Sequence, residues 1–129
     1  MPREAGDVVA PRDPDELDAL DEAALMNLVG GDRVLAGELA DIFLDDLGPR
    51  AAEITAAVDG RDATRLRSAA HALRGSAGSL KAGSVWNAAG ALEAMASSGV
   101  LDGMGEALER LNLALAALRP RLVALARKA

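Results

Sequence analysis

The stretch LERLNLALAALRPRLVAL, residues 108–125, sets the fold class. Leu108, Leu111, Leu115, Leu118, Leu122 and Leu125 recur at alternating spacings of three and four, which lines them along one side of an α-helix. Such a seam is stable only when buried against other helices. The spacing predicts a helix over about residues 103–127. Pro120 lies inside it and has no N–H to donate, so a bend or weakened turn is expected near residues 116–120.

The rest of the chain supplies the partners. DELDALDEAALMNLVGGD predicts a short helix of roughly residues 16–29, stopped by Gly30 and Gly31. Asp32 is a good N-cap for RVLAGELADIFLDDL, where Leu35, Leu39, Ile42 and Phe43 are expected to form one buried stripe. At Gly48-Pro49 a kink, or a break with a restart, is expected before Ile54 and Val58 resume the stripe up to Gly60. Asp62 caps a helix over about residues 62–80, and another over about 84–98 carries Val85, Ala88, Ala89, Leu92 and Met95. Residues 1–15, with Pro2, Pro11 and Pro14, read as a flexible arm ahead of one domain over 16–129. Neither a strand pattern nor a repeat emerges. The expected fold is all-α, an antiparallel four-helix bundle with a short extra N-terminal helix.

Composition narrows the function. A formal charge of −6 and only two aromatic residues, Phe43 and Trp86, argue against nucleic-acid binding. The chain has no cysteine, which excludes disulfide and thiolate chemistry and makes a reducing compartment natural. Its opening residues lack the apolar core of a signal peptide, and no 18 apolar residues run together. A soluble, cytoplasmic, acidic domain is expected, with no membrane contact. The bundle satisfies its own seams, so a monomer is expected.

The single histidine, His71, sits in SAAHALRGSAGSL, residues 68–80. At about 100° per residue it lies roughly 140° from Leu66 and roughly 180° from Leu80. Its neighbours one turn away are Arg67, Ser68, Arg74 and Gly75, with Thr64 and Gly78 two turns away, all polar or small. His71 is therefore displayed. Gly75 and Gly78 weaken a helix interior by about 1 kcal/mol each relative to alanine, so glycine there calls for a purpose, such as close approach by a partner. Arg74, one turn on, would favour an anion at the imidazole. Ser76 stands at the edge of this face.

AHALRGSAGSLKA, residues 70–82, resembles the signature of histidine-containing phosphotransfer (HPt) domains of multistep phosphorelays: alanine, histidine, any residue, leucine or isoleucine, lysine, glycine, small residues. LDEAALMNLVGGD, LADIFLDDLGPRAAEITAAVDGRD and AAGALE look like the family's other helices, so the likeness covers about residues 20–127. It implies a four-helix bundle with His71 as phosphoacceptor. Arg74 stands where the family usually has lysine, and Gly75 matches the glycine that admits the partner. Glu93, where the family often has Glu or Gln, would accept from Nδ1–H of His71 and leave Nε2 as nucleophile. Lys81 departs from a common glycine, so the end of this helix is open to difference.

What the resemblance implies is a carrier that takes phosphate from a receiver-domain aspartyl phosphate and passes it to another receiver. The partners would be receiver domains of response regulators or hybrid histidine kinases, with Mg²⁺ on the receiver and no cofactor or metal bound by this chain. The chain has no nucleotide-binding loop, which makes it a phosphocarrier rather than a stand-alone enzyme. Docking would use Arg67, Ser68, Gly75, Gly78 and Lys81, with an apolar edge drawn from Val34, Leu35 or Trp86. The competing reading is a non-catalytic helical adaptor that binds partners through its Leu seam, with His71 incidental. A metal-binding bundle is disfavoured by one histidine and no Glu-x-x-His spacing. A fragment of a chemotaxis-type kinase is a further variant, against which Met1 and the arm favour a free-standing protein.

Overall fold

The computed structural model describes residues 19–128; the expected arm and the first residues of the expected helix 16–29 lie outside them. The described residues form α1 (Glu22–Leu28), α2 (Arg33–Asp59), α3 (Ala63–Leu80), α4 (Gly83–Ser98) and α5 (Met104–Lys128), with no strand among them. Short connections over residues 60–62, 81–82 and 99–103 turn α2 to α5 into antiparallel neighbours. Around the ring α2 packs on α3 and α5, and α4 on α3 and α5, while α1 leans on α2. No helix is long and apolar enough to cross a membrane.

The α5 seam fills the centre: Leu111, Leu115, Leu118, Leu122 and Leu125 are buried and Leu108 packs at its edge. The leucines proposed for an adaptor's surface are thus occupied inside the bundle. Asp32 and Asp62 cap as expected, their carboxylates accepting from the Leu35 and Arg65 N–H groups at 3.0 and 3.1 Å.

Three sequence expectations change. First, among the described residues the helix expected over 16–29 starts at Glu22, with residues 19–21 outside it and Asp21 capping through the Ala24 N–H. Residues just before it are held by tertiary bonds that a helix would not permit. Leu20 is buried with its carbonyl on Arg121 Nη2, and the Asp21 N–H donates to the Lys81 carbonyl. Second, α2 runs on through Pro49 with no break and restart, and α5 is likewise helical on both sides of Pro120. Both prolines are exposed, as are Asp45 and Ala116, whose carbonyls they leave unbonded, so water can replace the lost bond.

Third, the buried face of α2 is Ala36, Ala40, Phe43, Leu47, Ile54 and Ala57, while Leu35 and Ile42 point outward. Small alanines let α2 lie close to its neighbours, so the stripe that packs is the smaller one, and the bulkier aliphatics are displaced to the flank.

α3 ends at Lys81, which takes the left-handed conformation (φ 69°) that a glycine would occupy, so the helix stops as a glycine cap would stop it. A side chain there costs roughly 1 kcal/mol. Lys81→Gly is expected to raise stability by about 0.5–1 kcal/mol, after allowance for the greater freedom of unfolded glycine. Thermal unfolding checks this; an unchanged or lower midpoint refutes it.

Candidate functional site

α3 faces the core with Leu66, Ala70, Leu73, Ala77 and Leu80, which turns His71 outward. Its side chain is 66% exposed. Nδ1 lies 2.8 Å from Oε2 of Glu93 on α4. A carboxylate only accepts, so Nδ1 is the donor, and in the neutral imidazole that tautomer leaves the lone pair on Nε2. A hydrogen bond to a charged group is worth about 1.5–3 kcal/mol, a tautomer bias of roughly tenfold or more.

Glu93 follows the fully buried Leu92 and is itself only 19% exposed, so α4 packing fixes the carboxylate from behind. Its other oxygen, Oε1, is buried and stands 3.0 Å from Arg74 Nε without an aligned hydrogen bond, a Coulombic contact. Arg74 is 38% exposed, so screening limits this pair to about 1 kcal/mol. It matters less for stability than for where the guanidinium sits. One carboxylate thus holds both the imidazole and the cation one turn beyond it.

A shallow depression of about 400 Å³ opens beside the ring, lined by His71, Glu93, Arg67, Ser68 and Ser97. Arg67 and Ser68 are exposed, as expected. A Cβ on Gly75 would meet nothing within 4 Å, so the face beside His71 is open at that position. At Gly78 it is not. A Cβ on Gly78 would stand 3.2 Å from Cδ1 of Trp86, so the indole of α4 already fills the space kept for a partner. Lys81 is not brought to the imidazole; ten residues along α3 place it about 15 Å away.

Sequence reasoning missed a second feature. Leu28, Leu39, Ile42, Phe43 and Leu80, with Asp46, Ser76 and Ser79, line a mostly apolar groove of about 320 Å³ between α1, α2 and α3. Ile42 is 64% and Leu28 58% exposed; Val34, Leu35 and Trp86 are exposed too. Ser76 and Ser79 put the groove about 8–12 Å along α3 from His71. The signal was present as Ile42 falling about 100° from Phe43, but it reads as one broad stripe until the neighbours are known. Among the described residues no three His, Cys, Asp or Glu stand together as a metal site.

Comparison with curated proteins and with solved structures gives no significant match. The family model described as the Hpt domain matches residues 38–121, a span that runs from α2 into α5 and includes His71, Arg74 and Glu93. With an all-helical bundle and a displayed histidine in the middle of the matched span, the chain belongs to the Hpt domain family, the helical domains of histidine phosphotransfer in two-component systems.

Proposed function

We propose that this protein is a cytoplasmic phosphocarrier that takes a phosphoryl group on Nε2 of His71 from an aspartyl phosphate of one receiver domain and delivers it to another. The observation that carries the reading is the 2.8 Å contact between Nδ1 and Glu93 on a ring that is 66% exposed. The Nε2 lone pair attacks phosphorus in line, the Nε2–P bond forms and the P–O bond to the aspartate breaks, and the aspartate carboxylate leaves. No proton has to move: Nδ1 keeps its hydrogen on Glu93, which faces the positive charge that develops on the ring. Arg74, and Arg67 on the other side, offset the nearly two negative charges of the bound phosphate. The acid pocket is assigned to the receiver, together with the Mg²⁺ that would balance charge on the phosphoryl oxygens.

Incubation with a receiver domain phosphorylated on its aspartate should move label to this chain. The label should be acid-labile and alkali-stable, and should map to the peptide containing His71. Label that stays on the receiver, or is released only as free phosphate, refutes the proposal.

The receiver is expected to land across the α2–α3 face, where the apolar groove supplies affinity that does not depend on phosphate. Ile42→Asp places a charge in that footprint without entering the core. It is expected to weaken receiver binding by roughly tenfold, measured by titration, while phosphorylation by a small-molecule donor is unaltered. Unchanged receiver affinity would move the docking face elsewhere. Binding that is lost on Ile42→Asp while the chain never carries phosphate would favour the adaptor.

A further inference from the structure

We propose that Gly90 is a positioning residue for phosphoryl transfer, its bare Cα being the seat across which Arg74 folds so that Glu93 holds guanidinium and imidazole together. A Cβ built on Gly90 would stand 3.4 Å from Cδ of Arg74. No other atom beyond its own helix turn and chain neighbours lies within 4 Å of that point among the described residues. Core packing therefore does not require a glycine at this site. α4 is otherwise rich in alanine (Ala88, Ala89, Ala91, Ala94, Ala96), so a helix-weakening glycine in its interior is a departure. Among the described residues Arg74 is the neighbour that a side chain there would meet, in close contact for alanine and in its path for anything larger.

The geometry is a two-by-two arrangement. Gly90 and Glu93 stand three apart on one face of α4, and His71 and Arg74 three apart on one face of α3. The arginine stem crosses at Gly90 and its Nε comes to rest 3.0 Å from Glu93 Oε1. An arginine engaged through Nε still has two Nη amines for an anion, whereas a lysine has one charged centre to divide between carboxylate and phosphate. Gly90 and Arg74 thus act as a pair. A bulkier residue at position 90 lifts the stem, separates the cation from Glu93, and leaves His71 paired alone.

This inference rests on the phosphocarrier reading, and its test separates the two. The protein is phosphorylated with phosphoramidate, whose P–N bond breaks as Nε2–P forms and ammonia leaves, and the rate is followed for Gly90→Ala, Gly90→Val and Gly90→Leu. A second readout needs no phosphate: the Nε–Hε NMR cross-peak of Arg74, assigned by its loss in Arg74→Ala. The rate is expected to fall along the series, by roughly three- to tenfold for leucine, to the level of Arg74→Ala. On the Arg74→Ala background Gly90→Leu should cause no further loss. The cross-peak should move toward the position of solvent-exposed arginines in both Gly90→Leu and Glu93→Gln.

A folded Gly90→Leu protein with the cross-peak unmoved overturns the seat. A rate loss that adds to that of Arg74→Ala overturns the action through Arg74. Should the leucine variant fail to fold, the valine variant decides by the same two readouts. If wild type takes no phosphate at all, the phosphocarrier reading and the transfer role of Gly90 fall together, while the cross-peak still reports whether the seat exists.

Discussion

His71→Gln should take up no phosphate from a phosphorylated receiver or from phosphoramidate, while unfolding at close to the wild-type temperature. The loss should be complete because the chain holds no second imidazole and no thiol to act in its place. The fold should be indifferent because the side chain is mostly in water and touches Glu93, not the leucine core. Surface changes of this sort move stability by about 0.5 kcal/mol or less, with somewhat more where a hydrogen bond is lost. The chain's 20 acidic residues could also accept phosphate as acyl phosphates, and its serine and threonine hydroxyls as esters, which acid does not cleave. An acyl phosphate would be cleaved by alkali, so the chemistry of the label discriminates. Alkali-stable label on the His71→Gln protein would show that the nucleophile is elsewhere.

Leu118→Ala should be the most damaging single truncation for the fold. Leu118 has no exposed surface and lies at the middle of the α5 seam, where α5 meets α2 and α4. Truncating a fully buried leucine costs about 2–5 kcal/mol, against a total stability of about 5–15 kcal/mol for a domain of this size. At about 3–5 °C per kcal/mol, the midpoint should fall by roughly 10–20 °C. The control lies on the same helix: Leu113 is 66% exposed, and Leu113→Ala should change stability by about 0.5 kcal/mol or less. Urea and thermal unfolding of the two proteins measure the difference. Equal, small losses would mean that the seam is not the core.

The two substitutions probe separate links in one chain of causes. Leu118 belongs to the packing of α5 on α2 and α4, and His71 to the chemistry that the packed bundle positions on α3 and α4. Glu93 joins them: its backbone is set by the buried Leu92 beside it, and its two oxygens reach His71 and Arg74 on the opposite helix.

What the sequence determined by itself was whatever lies within one helix. The leucine spacing over residues 108–125 established a buried seam, Asp32 and Asp62 marked helix starts, and the angle between Leu66 and His71 turned the histidine outward, because residue spacing translates directly into direction around a helix axis. The contact of Glu93 with His71 came through resemblance, not spacing. The tertiary structure alone decided what happens between helices: that α2 buries its alanines and not Leu35 or Ile42, that Trp86 occupies the space above Gly78, that the prolines fall on the water side, and that Arg74 crosses α4 at Gly90. Those outcomes depend on how closely two helices approach and in what register. That is a property of both surfaces at once, and no periodicity within either one contains it.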